Sequence, residues 1–414
     1  VRTDAPTGRP VGPEPGSRDR SPPPRPPGPV RRRAALPFAV SVAVVAALAA
    51  TACGSGGGTA DRSATARGSG PRSAPDVLVL DGPVPARRFT PTGDRAGFAH
   101  GWELLRQRSD AEADRELDRM RRSGARWLRV TIEWSQIERR PGRFDWSAPD
   151  RIVAGARRRG LSVLGSITYA PPWAAAGRCR YECAPADQGA YARFAGRAVR
   201  RYRPVGVRVW EIWNEPNHPP FWPPRGDPAE YTSLLRRAYL VIKQADPGAT
   251  VLAGGFAPSP DSGDYIRPQT FLRAMYAAGA KGFFDGLAHH PYYYFGRPTD
   301  GTDPNNPFLE TLTLRDIMVA NGDGDKPIWG TEVGAPTNGP HAVSEQEQAL
   351  RLRDYYAAWN AWDFTGPLLW YALRDSGMAG SDGFGLLHHD FFPKPAWHAF
   401  VELMRDPSPV PPRS

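Results

Sequence analysis

The sequence predicts a (β/α)8 TIM barrel over residues 95–407, and three observations carry that prediction. Short apolar runs alternate with amphipathic stretches along this whole span, the pattern of a parallel sheet with crossover helices. Eight such units can be counted, the number that closes a barrel. An open doubly wound sheet would more often place a glycine-rich phosphate loop after its first strand, and none follows here.

The strands are read as follows. "GFAHGW" (97–102) is the first and weakest, followed by "ARWLRVTI" (125–132), "LSVLGSI" (161–167), "VRVWEIW" (207–213) and "ATVLAGG" (249–255). "FDGLAHH" (284–290), "KPIWGTE" (326–332) and "GPLLWYA" (366–372) complete the eight. Between them, "SDAEADRELDRMRRSG" opens with Ser109 and Glu112 at capping-box spacing and stops at Gly124, so a helix is expected there. "APDRIVAGARRRG", "QGAYARFAGRAVRRY", "DPAEYTSLLRRAYLVIKQ", "PQTFLRAMYAAG" and "SEQEQALRLRDYYAAWNAW" are further helices.

The residues before the barrel have another character. Residues 1–30 are rich in Pro, Gly and Arg and are expected to be disordered. Residues 31–53, "RRRAALPFAVSVAVVAALAATAC", have the layout of an export signal: basic residues, an apolar run, small residues before Cys53. The run is short for a permanent span, which needs about 20 apolar residues. Small residues before Cys53 and "GSGGG" after it resemble a bacterial lipoprotein signal, which implies lipidation of Cys53. An ordinary signal peptide and an uncleaved anchor are the alternatives. All three place the barrel outside the cytoplasm, with residues 54–94 as a flexible linker and 408–414 as a Pro-rich tail.

Charge and cysteine content narrow the function classes. The formal net charge is +10, but residues 1–94 carry +6 of it, leaving +4 on the remainder. A nucleic-acid partner is therefore not expected. Cys179 and Cys183 in "GRCRYECAP" are expected to form a disulfide in an oxidising compartment. A metal site there is the alternative, although two thiols with no nearby His make a poor ligand set.

In such a barrel the chemistry sits at the C-terminal ends of the strands. Those ends carry Arg129, Glu133 and Trp134, then Tyr169 and Trp173, then Asn214 and Glu215, then His289, His290 and Tyr292, then Glu332, and last Trp370. Two carboxylates among aromatics of sugar-binding size point to glycoside hydrolysis. That reaction needs one carboxyl group as acid and one as nucleophile, about 5 Å apart for retention of configuration. Glu215 and Glu332 are the candidate pair. Arg129 is the cation placed to keep one of them ionised. Trp134, Trp173, Trp213, Trp222 and Trp370 are candidate sugar platforms. Glu211 shares a strand face with Glu215 and is read as structural.

With these residues on the page, residues 96–405 resemble the retaining glycoside hydrolases of the (β/α)8 clan that includes cellulases and β-xylosidases, families 5 and 39 above all. The matching phrases are Asn214-Glu215-Pro216, "PIWGTEVG" around Glu332, "WLRVTIEWSQIE" around Arg129, and "HPY" at His290 to Tyr292. "PGRFDW" (141–146) and "FPKPAWHAF" (392–400) follow the same order, and an insertion, "AAAGRCRYECAPA", departs from it. The resemblance implies that Glu215 is the acid/base, Glu332 the nucleophile, and Asn214 a ligand of the sugar 2-hydroxyl. It further implies that Arg129 lies near the nucleophile, that His290 and Tyr292 orient the glutamates, and that Trp370 is a platform. It implies no metal and no cofactor. A monomer acting on a carbohydrate, exported and held to the membrane by its lipid, is the expectation. A carbohydrate-binding barrel without turnover and a transglycosylase are the rival readings, and the sugar is open.

Overall fold

The computed structural model describes residues 92–106, 109–177, 182–377 and 383–405. Cys53, Cys179 and the segments 1–91 and 406–414 lie outside the described residues. Eight parallel strands form a closed barrel in sequence order: β1 (Ala96–Ala99), β2 (Trp127–Glu133), β3 (Ser162–Thr168), β4 (Val209–Ile212), β5 (Thr250–Phe256), β6 (Gly286–His289), β7 (Ile328–Val333) and β8 (Thr365–Trp370). β1 pairs with both β2 and β8, which closes the ring.

The helices are α1 (Gly101–Leu105), α2 (Asp110–Ser123), α3 (Trp134–Ile137), α4 (Ser147–Arg158), α5 (Gln188–Tyr202), α6 (Pro228–Ala245), α7 (Pro268–Ala277), α8 (Glu310–Ala320), α9 (Glu345–Ala361) and α10 (Pro395–Arg405). α2 forms as its caps predict: the Ser109 hydroxyl accepts the Glu112 amide hydrogen at 3.2 Å, and Gly124 takes the left-handed conformation, φ 90°, that ends it. α8 and α10 were not expected as helices. The residue before α8 is Leu309, which offers no side-chain cap, so no start signal precedes it.

The barrel interior is layered, and the layering positions the site. Leu164, Val209, Leu252, Ala288 and Trp329 form an apolar plug, with Trp127 packed against it. Side chains alternate along a strand, so the residue two positions on points the same way. Two positions beyond Trp127, Leu164, Val209, Ala288 and Trp329 stand Arg129, Ser166, Glu211, His290 and Thr331. A dry floor thus gives way in one step to a polar layer facing the C-terminal mouth.

Candidate active site

Arg129 is the centre of the polar layer, and every guanidinium nitrogen is used. Nε donates to Glu211 Oε2 at 2.5 Å and Nη1 to Glu332 Oε1 at 2.5 Å. Nη2 donates to Asn214 Oδ1 at 2.8 Å and to Ser166 Oγ at 3.2 Å. One rigid fork from β2 thereby ties β3, β4 and β7 together. Glu211 is fully buried and accepts a second hydrogen bond from Thr331 Oγ1 at 3.0 Å. Burial alone would raise its pKa, but Arg129 and His290 outweigh burial and hold it below the usual carboxylate range.

The chain leaves β4 through an unusual turn. Trp213 and Glu215 have φ of 74° and 47°, a left-handed conformation that costs about 1–3 kcal/mol per residue outside glycine. The turn is held by Trp213 N donating to Ile167 O and Glu215 N donating to Gly255 O, each at 3.0 Å. Gly255 itself has φ 72°, and a Cβ there would collide with Glu211 Oε1. The same turn breaks the strand alternation. Trp213 does not stay on the face of Glu211 but packs against Tyr191 and Trp222 beneath the helices.

Glu215 and Glu332 meet across the mouth, with side chains 13% and 18% exposed and so within reach of a ligand. One atom each of Glu215, His290 and Glu332 lie within 4.8 Å of one another. His290 Nδ1 is 2.9 Å from Glu215 Oε1 and 3.8 Å from Glu332 Oε2, while its Nε2 faces Glu211 Oε1 at 3.8 Å. Tyr292 donates its hydroxyl to Glu332 Oε2 at 3.0 Å. Each oxygen of Glu332 therefore has a fixed donor.

Burial works against charging the His290 imidazole, but Glu332, Glu211 and Glu215 outweigh burial and push its pKa up to about 9. The cationic ring thus stands among three carboxylates, Nδ1 toward Glu215 and Glu332 and Nε2 toward Glu211. The linkage has a definite sign. A histidine raised from 6.5 to about 9 gives stability that is complete below about pH 6.5 and is lost as pH rises through about 9. Urea unfolding from pH 6 to 9.5 is expected to show a decline in the parent protein that is flattened in His290→Gln.

The aromatic expectations fare unevenly. Trp173, 42% exposed, is open to a ligand and fixed by its Nε1 donating to Glu138 O at 2.9 Å. Trp134 is 1% exposed, stacked on Phe194 at 5.6 Å, with Nε1 donating to Glu138 Oε2 at 2.6 Å. It is a packing residue and not a platform. Trp213 and Trp222 are buried as well. Trp370 is fully buried against Tyr355 of α9, and its Nε1 donates to Phe384 O at 3.2 Å. The aromatic of that strand end which lines the mouth is the next residue, Tyr371, half-buried and clustered with Tyr292, Tyr294 and Phe384. His289 points the other way, toward Thr311 of α8, with burial and the neighbouring His290 lowering its pKa to about 3. Cys183 is disulfide-bonded.

No family model matches the chain. Among curated proteins it is similar to a β-xylosidase of Geobacillus stearothermophilus, 26% identical over 223 residues that make up 49% of this chain and 42% of that protein. Among solved structures, a family 39 glycoside hydrolase from Bacteroides cellulosilyticus WH2 superposes with a TM-score of 0.62 at 23% identity, covering 76% of this chain and 63% of that one. A GH5_18 protein from Streptomyces cattleya, solved with GlcNAc, gives a TM-score of 0.60 at 19% identity over 77% of this chain and 82% of its own. The chain thus spans less than two thirds of the first two of these relatives. It is similar in fold to glycoside hydrolases of families 39 and 5 and, over about half its length, similar in sequence to a β-xylosidase.

Proposed function

We propose that the chain is a retaining β-glycosidase that cleaves O-glycosidic bonds of an oligo- or polysaccharide by double displacement. The observation that carries this is the approach of Glu215 and Glu332 to within 4.8 Å across an open mouth, each held by its own partners. Retaining chemistry uses carboxyl groups about 5–5.5 Å apart, whereas inversion needs about 6.5–9.5 Å to admit a water. Arg129 and Tyr292 fix both oxygens of Glu332, which holds it aimed, as a nucleophile must be. His290 Nδ1, 2.9 Å from Glu215 Oε1, orients that carboxyl group for its role as donor to the leaving oxygen. Asn214 presents its Oδ1 to Arg129, which turns its NH2 group toward a substrate hydroxyl.

In the first step a Glu332 oxygen attacks the anomeric carbon while Glu215 protonates the departing oxygen. In the second, Glu215 takes a proton from water, which opens the glycosyl ester with a second inversion and hence net retention. Residues 31–53 support export and lipidation at Cys53, which would put this activity at the outer face of a membrane.

Proton NMR of freshly released sugar, over a panel of aryl β-glycosides and polysaccharides, tests the reading. The β-anomer is expected first, and a 2-deoxy-2-fluoro glycoside of the accepted sugar is expected to label Glu332. First release of the α-anomer, or binding without cleavage or labelling, would overturn it.

A further inference from the structure

The two glutamates are not held alike. Both oxygens of Glu332 have a donor, whereas on Glu215 His290 Nδ1 takes Oε1 alone, at 2.9 Å. Oε2 is therefore the oxygen left to carry the proton that the mechanism requires. Beside it stands His218, whose Nδ1 lies 3.8 Å from Oε2.

The backbone sets His218 firmly. Its amide donates to Glu215 O at 3.0 Å, which closes the turn after β4, and its carbonyl accepts from Phe221 N at 3.0 Å and Trp222 N at 3.1 Å. The residue before it, Asn217, is fully buried and clamped to the loop after β5: Nδ2 donates to Ala257 O at 2.9 Å and Ile266 O at 2.8 Å, and Oδ1 accepts from Ala257 N at 2.9 Å. The imidazole packs against Tyr265 and Phe221, with ring centroids 4.9 and 5.8 Å away. With the ring so fixed, any change in its distance to Oε2 falls to the Glu215 carboxyl group.

Nδ1 of His218 is buried and has no hydrogen-bond partner. A buried nitrogen in a packing histidine ordinarily has one. Among the described residues, the charged atom it faces is Oε2 of Glu215, and 3.8 Å is a small rotation of that carboxyl group short of a hydrogen bond. Hydrogen bonds of catalytic groups often tighten only when substrate is bound.

Charge gives the pairing its sense. Burial lowers the His218 pKa and the charge of Glu215 offsets this only in part, so the ring is neutral at pH 7, whereas His290 is cationic. Two cations on one carboxyl group would hold Glu215 ionised and deny it the acid role. One cation and one neutral donor can fix both oxygens and still let the proton come and go. Facing a carboxylate, the neutral ring carries its hydrogen on Nδ1.

We propose that His218 is a positioning residue for the acid/base: its Nδ1–H closes on Oε2 of Glu215 when sugar fills the mouth, and so aims the proton on Oε2 at the leaving oxygen. The assignment rests on the glycosidase reading for the role of Glu215. As a donor to Oε2, the ring leaves the O–H bond of the acid only directions away from itself. Once the proton has gone, the same contact holds Oε2 ready to take one from water.

Leaving-group dependence tests this, because kcat/KM reports the first step, for which a phenyl glycoside needs the acid and a 2,4-dinitrophenyl glycoside does not. Loss of a hydrogen bond to a charged group is worth about 10- to 100-fold, so His218→Phe is expected to lower kcat/KM for the phenyl glycoside by that factor and for the dinitrophenyl glycoside far less. His218→Asn sets an amide N–H where Nδ1 stood and should restore most of the loss, while His218→Gln reaches to the place of Nε2 and should not. Thermal unfolding of the three variants shows whether the fold is kept. Equal losses with both leaving groups, no loss, or equal rescue by Gln overturns the assignment. Nitrogen-15 NMR of the histidine rings in the full chain at pH 7 reads the contact without turnover. The His218 signal, identified by its absence from His218→Asn, should be that of a neutral ring with its hydrogen on Nδ1, and Glu215→Gln should shift it. A hydrogen on Nε2, or no response to Glu215→Gln, also overturns the assignment. Fluoro-glycoside labelling of Glu332 is scored in the same samples. Labelling without the leaving-group split removes the role of His218 alone. The NMR contact with neither turnover nor labelling removes the glycosidase reading and keeps His218 as the partner of Glu215.

Discussion

Glu332→Gln is expected to lower kcat on the order of 10⁵-fold, because the variant has no ionised oxygen to attack the anomeric carbon and no other group stands in its place. The amide nearly preserves shape, so thermal unfolding should shift far less than activity. Glu215→Gln should behave differently, and the contrast is the diagnostic. A 2,4-dinitrophenyl glycoside needs no proton for departure of its leaving group, so its first step should survive while release of the sugar from Glu332 slows. A burst of dinitrophenol followed by a slow steady state is the expected record. Sodium azide, a nucleophile that needs no general base, should restore the second step and yield a β-glycosyl azide. An unchanged steady state in Glu215→Gln, or an α-azide, would remove the acid/base role. The geometry is why the two variants separate: Glu332 is pinned by Arg129 and Tyr292, whereas Glu215 touches the proton-bearing His290.

The barrel was legible because its strands are apolar runs and its helices carry their own caps. Ser109 and Gly124 bracket α2 as their chemistry dictates. That Arg129, Asn214, Glu215, His290, Tyr292 and Glu332 stand together was legible for a related reason. In a closed parallel barrel all strand C-termini converge, so residues scattered over two hundred positions must meet. What the sequence could not show was which way an aromatic faces. "GPLLWYA" is apolar throughout, so nothing in it says that Trp370 looks toward α9 and Tyr371 toward the mouth. "VRVWEIW" misled at Trp213, because the left-handed turn that seats Glu215 also redirects the tryptophan.

Arg129→Met should show how much of the site is held by one cation. The guanidinium is buried between Glu211 and Glu332, and removing one partner of a buried ion pair costs about 3–5 kcal/mol because the other is left charged and dry. The pH dependence identifies the stranded group. In the parent protein Glu211 is held below its ordinary pKa, so its contribution is present above the unfolded value of 4.5 and is lost as pH falls through the folded one. Without Arg129 the burial of Glu211 is opposed by His290 alone, so its pKa moves upward. Acidification from neutral pH, which stabilises the parent through His290, should therefore stabilise the variant by more, because Glu211 now adds to it. Adding Glu211→Gln to Arg129→Met should recover much of the stability and flatten that slope, since the stranded charge is gone. It should recover no activity, because Glu332 and Asn214 still lack their donor. Urea unfolding of the four proteins between pH 5 and 8 separates these terms. A double variant no more stable than Arg129→Met would show that Glu211 is not the group that Arg129 neutralises.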